Sequence, residues 1–143
     1  ATGASDLKIK TTLYHKGERT KGDIKIKVVL KDQARVSYDG MIKIAKTANQ
    51  TNSYLSGKAL ALNRGVSCDA KPELEIEAND VKASHAFSQG QIDEEQLFYL
   101  CSRGLTEAQA KQMIVEGFLM EVVDLLGKEK QIIIQREIRN IIF

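Results

Sequence analysis

The chain of 143 residues has no tryptophan and only two cysteines, Cys68 and Cys101. The cysteines do not form a Cys-x-x-Cys spacing, so neither a disulfide scaffold nor a zinc site is indicated. No apolar run approaches the about 18 residues that a membrane-spanning helix needs. The first residues, ATGASDLKIK, lack the basic and then apolar segments of a signal peptide. These absences favour a cytoplasmic protein without a membrane partner.

Motifs for nucleotide binding and for nucleophilic catalysis are also missing. GERTKG has the wrong spacing for a phosphate loop, and no Ser/His/Asp arrangement has supporting sequence around it. Glu73, Glu75 and Glu77 alternate with apolar residues, which places three like charges on one side of a strand. We interpret this row as a solvated face rather than as paired catalytic acids, and we expect no enzymatic activity.

The charge is distributed unevenly along the chain. Residues 1–72 carry 14 Lys and Arg against 6 Asp and Glu, whereas residues 73–143 carry 7 against 13. A basic half can indicate a nucleic-acid partner. Here the lysines alternate with apolar residues, as in IKIKVVLK, and no aromatic residues lie between them. We interpret them as the solvent face of strands and expect no nucleic-acid partner.

The first half of the chain has the period-two pattern of strands. LKIKTTLYHKG and GDIKIKVVLKD alternate apolar and polar residues. ARVSYDG and MIKIAK follow as two further strands, with a turn predicted at residues 38–40. Beyond them we predict short strands at 60–62, 74–78 and 81–83, separated by polar corners. Short strands between regular corners favour a solenoid, with a β-sandwich as the alternative.

From Asp93 onward the pattern becomes helical. Asp93 is a predicted N-cap followed by acidic residues in the first turn, and Gly104 ends that helix. Thr106 and Gln109 form a predicted capping box at the start of a second helix, which ends at Gly127.

A third amphipathic segment covers about residues 128–140. The sequence therefore predicts a mainly β protein, with a β part over residues 1–92 and two or three helices over residues 93–143.

Two side chains are candidate metal ligands. His85 follows a short predicted strand in a polar corner, and a neutral imidazole is a good ligand for iron, zinc or copper. Cys68 lies earlier in the chain, where a solenoid would bring neighbouring corners together, and a thiolate is the ligand that iron–sulfur clusters prefer. A histidine without a ligand role is the alternative for His85. Cys101 is interpreted as a buried small hydrophobic residue on a helix.

The stretch PELEIEANDVKASHAFSQGQIDEEQLFYLCSRGLTEAQAKQMIVEGF, with SYDGMIKIAKTANQTNSYLSGKALAL before it, resembles the SufB/SufD family of iron–sulfur cluster assembly proteins. The resemblance covers about residues 20–126 and implies a right-handed parallel β-helix followed by C-terminal helices. It also implies that the chain pairs with a SufB- or SufD-like β-helix and docks the ABC-type ATPase SufC through its helices. Members of the family are longer, so we expect this chain to be a C-terminal part of such a protein.

Residue by residue, the resemblance implies a role for His85 in KASHAF, which falls on the histidine that the SufD branch contributes to the interface where a cluster forms. The cysteine of the SufB branch corresponds to Val66, two residues before Cys68, and both residues would lie on the same side of a strand. The glutamate of the SufB branch corresponds to Ala86. The resemblance is therefore closer to SufD, with His85 and Cys68 as candidate ligands of a transient iron–sulfur cluster.

These observations predict a non-enzymatic subunit of an iron–sulfur cluster assembly complex, partnered by a β-helix protein or by a second copy of itself in a homodimer. Two alternatives remain open. One is a self-associating structural solenoid. The other is a β-helix carbohydrate-active enzyme, for which the absence of tryptophan leaves no aromatic sugar platform.

Overall fold

The structure is a computed structural model that describes the backbone of residues 1–142 and the side chains of residues 1–140. In this part of the chain, six strands are followed by three helices: β1 Asp6–His15, β2 Lys21–Leu30, β3 Arg35–Ile44, β4 Thr51–Ala61, β5 Ser67–Ile76, β6 Val81–Gln91, α1 Glu94–Ser102, α2 Glu107–Val123 and α3 Lys128–Ile142. The prediction of a mainly β protein with helices at its C-terminal side is confirmed.

The strands form two parallel sheets, and successive strands of the chain belong to the two sheets in turn. The odd-numbered strands make one sheet in the order β1-β3-β5, and the even-numbered strands make the other in the order β2-β4-β6. The chain therefore crosses from one sheet to the other after every strand. The corners between strands also match, because Asp32 and Asn63, which are 31 residues apart, are joined by two hydrogen bonds of 2.7 Å.

The core lies between the two sheets. Residues paired in a parallel ladder point to the same side, and every second residue of a strand points inward. Tyr38, Ile42 and Leu55 at such inward positions are fully buried. The Tyr38 hydroxyl group lies 2.8 Å from Thr11 Oγ1, and its ring stacks on that of Phe87 from the opposite sheet at a centroid distance of 6.0 Å. Hydrophobic and aromatic contacts thus join the two sheets.

The predicted turn at residues 38–40 is wrong, because β3 runs through it without interruption. Gly40 is needed there for packing rather than for a turn. A Cβ atom at Gly40 would lie 2.5 Å from Tyr38 Oη and 2.7 Å from Leu55 Cδ1. Gly57 on β4 has the same role, since a Cβ atom there would overlap the ring of Phe87.

The predicted short strands at 60–62, 74–78 and 81–83 are also wrong, because β4, β5 and β6 each extend over 10 or 11 residues. Their inward positions are often occupied by small or polar residues. On β4, for example, Thr51, Ser53, Gly57 and Ala59 are buried. Such residues obscure the alternation of hydrophobicity by which a strand is recognised in sequence.

The helix caps agree with the sequence. The Asp93 carboxylate accepts hydrogen bonds from the backbone N–H groups of Glu95 and Gln96, and Gly104 adopts a φ of +97° just beyond α1. Thr106 and Gln109 form the predicted capping box of α2. The end of α2 is different, because the helix stops at Val123 and Gly127 instead directly precedes α3.

Helix α2 lies against the outer face of the even-numbered sheet. Val29 and Leu60, which point outward from β2 and β4, pack with the buried Val115 of α2. Beside them the Lys27 ammonium group lies 4.3 Å from the Phe118 ring centroid and forms an ion pair with Glu121. Within residues 1–142, no helix is both long and apolar enough to cross a membrane.

Candidate functional site

His85 lies in the middle of β6, so its predicted position in a polar corner is wrong. It pairs in register with Leu55 of β4, which is fully buried. Because paired residues point to the same side, His85 occupies an inward position between Ala83 and Phe87. Its side chain is nevertheless exposed, since β6 is an edge strand of its sheet.

Cys68 occupies the equivalent kind of position on β5, the edge strand of the other sheet. It pairs with Val36, which is 2% exposed, and is itself half-buried. Val66 and Cys68 both pack against the hydrophobic cluster that contains Val36. The prediction that a two-residue offset keeps the same side of the strand therefore agrees with the packing.

The two candidate ligands line one open depression at the end of the sheet pair. The depression has a volume of about 470 Å³, and its lining residues are Cys68, Asp69, Ala70, Pro72, His85, Ala86, Phe87 and Gln89. Edge strands from both sheets contribute to it, with their inward side chains forming its floor. That Cys68 and His85 bind metal stays a prediction.

The surroundings of Cys68 favour the protonated thiol. Partial burial raises the pKa of Cys68, and the neighbouring Asp69 carboxylate raises it further. The sulfur atom therefore carries its proton at neutral pH. A metal ion that binds here must displace that proton, because the thiolate is the form that ligates metals.

Sequence reasoning missed Phe87 and Gln89 as parts of the depression. Both follow His85 at alternate positions of β6 and share its inward side. Reading Val81, Ala83, His85 and Phe87 as one period-two series would have placed them together. The strand predicted from the sequence ended at residue 83, so both residues lay outside it.

The other residues considered above lie elsewhere. Cys101 is half-buried on α1 and does not line the depression. Glu73 and Glu75 point outward from β5 and are exposed, as expected for a solvated face. Glu75 forms an ion pair of 2.7 Å with Lys43 on the adjacent strand, which raises the pKa of Lys43.

The helical region exposes several large hydrophobic side chains. Phe98 on α1 is 75% exposed, and Ile132 on α3 is 69% exposed. Others are Tyr99, Met113, Leu125 and Ile133. Leu125 lies between α2 and α3, and the other five residues lie on the three helices. Single exposed apolar residues are ordinary in folded proteins.

Comparison with known proteins shows to which family this chain is similar. The model of the family described as "SUF system FeS cluster assembly, SufBD core domain" matches residues 1–118. The iron–sulfur cluster assembly protein SufD of Escherichia coli (strain K12) is 39% identical over 103 residues, which is 72% of this chain and 24% of that protein. SufD of Bacillus subtilis (strain 168) is 36% identical over 134 residues, 90% of this chain and 31% of that protein.

A SufBD family protein of Mycobacterium leprae (strain TN) is 39% identical over 95 residues, 66% of this chain and 24% of that protein. The chain thus spans about a quarter to a third of the length of these relatives.

Proposed function

Because the chain belongs to the SufBD core family and is similar to SufD, we propose that it acts as a non-catalytic subunit of an iron–sulfur cluster assembly complex. The observation that carries this proposal is the depression shared by Cys68 and His85. It presents a thiol and an imidazole, two of the donor types that hold iron, on edge strands that a partner can approach.

We infer that β1–β2, β3–β4 and β5–β6 are successive coils of a parallel β-helix and that the two sheets are its faces. The alternating use of the two sheets, the parallel pairing of every strand with the next but one, and the matched corners support this architecture. In such a solenoid the preceding coil covers one side of the last coil, and the other side is open. β5 and β6 would form this last coil.

The depression suits transient rather than permanent binding. Among the described residues, no three His, Cys, Asp or Glu side chains are grouped as a metal site. Cys68 and His85 would supply two donors to a cluster, and a partner chain or inorganic sulfide would complete its coordination. The cluster is the cargo of this reaction, and two protein donors hold it less firmly than the four thiolates of a permanent site.

Partner pairing would use the edges of β5 and β6. Their outer edges offer backbone donors and acceptors to a strand from another chain, such as a SufB-like β-helix or a second copy. This pairing would also cover the depression and bring further ligands to it. Light scattering at micromolar concentration should show a dimer, and a monomer would argue against pairing between identical chains.

The exposed apolar residues of the helices would dock a SufC-like ATPase. Ile132 and Ile133 on α3 are exposed, so aspartate at both positions should leave the core intact. This double variant should lose binding to the ATPase in a pull-down assay while keeping its melting temperature. Undiminished capture would exclude α3 as the docking element.

The decisive experiment measures cluster formation and folding on the same variants. Under anaerobic conditions, iron, sulfide and reductant are added to the chain together with its SufB-like partner, and cluster absorbance is recorded. We expect His85→Ala to reduce cluster yield several-fold with an unchanged melting temperature. Cys68→Ser should reduce the yield in the same way.

Ser84→Ala provides the matched control, because Ser84 is the preceding residue of β6 and points to the opposite side of the sheet. Its cluster yield should equal that of the parent. A lowered melting temperature with normal cluster yield in His85→Ala would contradict the proposal. That outcome would favour a purely structural role for the strand pair.

A further inference from the structure

The outer face of the even-numbered sheet carries a strong excess of positive charge. We call its outward lysines the lysine face: Lys21, Lys25 and Lys27 on β2, Lys58 on β4 and Lys82 on β6. Asp23 is the only acidic residue at the outward positions of these three strands. This face is therefore a candidate electrostatic binding surface.

The outer face of the odd-numbered sheet provides an internal comparison. Its outward basic residues are Lys8, Lys10, Arg35, Lys43 and Lys71, and its outward acidic residues are Asp6, Asp39, Asp69, Glu73 and Glu75. The two signs balance there. Both faces are built from parallel strands of similar length, so strand geometry alone does not produce the excess on the lysine face.

The lysine face already holds one carboxylate from within the chain. Glu121 of α2 forms an ion pair with Lys27, whose side chain is only 8% exposed. The hydrogen bond and the charge of Lys27 lower the pKa of Glu121, and the charges of Lys58 and Lys25 lower it further. An acidic side chain presented by a neighbouring segment is thus stabilised at this face.

Room for a second acidic segment lies directly beside this contact. A groove of about 380 Å³ is lined by three lysines, Lys25, Lys27 and Lys58, by two acidic residues, Asp23 and Glu121, and by Tyr54 and Ser56 among others. Lys25, Lys58 and Lys82 are exposed and form no ion pair within the described part of the chain. Their positive charge is available to a binding partner.

We propose that the lysine face binds an acidic segment of a partner protein, whose carboxylates pair with Lys25, Lys58 and Lys82 as Glu121 pairs with Lys27. In the register of the sheet, Lys25 lies two residues and Lys82 six residues from the level of Lys58 on β4, so an elongated acidic segment is needed to reach all three lysines. Tyr54 is the only aromatic residue at the outward positions of these strands, so the face lacks the series of stacking platforms that single-stranded nucleic acid uses. The surface is separate from the depression, so this inference does not depend on cluster assembly.

The test compares two triple variants of the full 143-residue chain in their binding to a fluorescein-labelled oligoglutamate peptide. The first carries Lys25→Ser, Lys58→Ser and Lys82→Ser, and leaves Lys27 in place to hold α2. The second carries Lys8→Ser, Lys10→Ser and Lys71→Ser on the balanced face, and it changes the net charge equally.

Fluorescence anisotropy should show binding by the parent that weakens as salt is added. The first variant should lose about tenfold in affinity, as expected for three exposed ion pairs, and the second less than about twofold. Both should keep the melting temperature of the parent. Equal losses in the two variants, or no binding by the parent, would overturn the proposal.

A short DNA duplex and phosphatidylglycerol vesicles complete the experiment as alternative ligands. Oligoglutamate should bind more tightly than either at equal salt. Tighter binding of the duplex would instead assign the face to nucleic acid, and tighter binding of the vesicles would assign it to a membrane surface. Either result would overturn the acidic-protein assignment.

Discussion

The inward positions of β3 and β4 differ from those of β5 and β6, although the four strands are aligned in register. Val36 and Leu55, on the central strands, are buried and apolar. Their register partners on the edge strands are Cys68 and His85, which are half-buried and exposed. The same backbone geometry therefore carries hydrophobic packing in the central strands and a thiol and an imidazole at the edge.

This difference shows how an inward position can take a polar side chain without a change of fold. An inward position next to a strand on both sides must be filled by an apolar side chain or by a polar one with hydrogen-bond partners, such as Ser53, because burying an unpaired polar group is costly. At the edge the same position reaches solvent and tolerates an imidazole. Cys68 and His85 thus lie on strands rather than on loops, which fixes the direction of their side chains.

The largest effect that tests this comparison is expected at Leu55. Leu55→Ala should lower the free energy of unfolding by about 2–5 kcal/mol, because it leaves a cavity between the two sheets. His85→Ala, one strand further along in register, should change it by less than about 0.5 kcal/mol, since the side chain is exposed. Urea denaturation of both variants measures the difference.

A similar loss of stability in the two variants would mean that the β5–β6 pair is packed as tightly as the central strands. It would also show that the edge position of His85 does not persist in solution. If Leu55→Ala left the free energy of unfolding nearly unchanged, this result would contradict the assignment of Leu55 to the core.

The second test uses two glycines. Gly57→Ala should cost about 1–3 kcal/mol, because the new methyl group overlaps the Phe87 ring that stacks on Tyr38. Gly90 on β6 has open space around it, so Gly90→Ala should be neutral or stabilise the protein by about 0.4–1 kcal/mol. Thermal unfolding of the two variants should give shifts of opposite sign or clearly different size.

If Gly57→Ala were as stable as the parent, the Phe87 ring would have to move freely out of the interior. In that case the floor of the depression would not be fixed. Loss of stability in Gly90→Ala would indicate that β6 is covered in solution on its outward side.

The sequence predicted the β-to-helix order and the helix caps, because these depend on local patterns. Alternation identifies β1 and β2, and Asp93 and Thr106 cap their helices with their own side chains. Local patterns failed at Gly40, where a sequence typical of a turn is used for close packing. That use depends on Tyr38 and Leu55, and the contact with Leu55 comes from a different strand, so residues 38–40 alone do not predict it.

The candidate ligands were found in the sequence, but their setting was not. His85 and Cys68 were chosen from their chemistry and from the resemblance, whereas the depression that joins them depends on which strands lie at the sheet edges. Strand order is set by long-range pairing, such as Leu55 with His85. No local pattern around either residue specifies that pairing.

The smallest effect concerns how α2 is held on the central strands. Lys27 lowers the pKa of Glu121 in the folded protein. The ion pair therefore stabilises the folded state at a pH above the ordinary pKa of glutamate, and this contribution is lost as the pH falls through the lowered folded pKa. Glu121→Gln should differ most from the parent near neutral pH, and the difference should shrink in acid. Unfolding of Glu121→Gln, Lys27→Gln and the double variant at several pH values isolates the coupling between the two side chains. A coupling of zero at neutral pH would show that the ion pair does not help to hold α2, which would then depend on other contacts such as those of Val29, Leu60 and Val115.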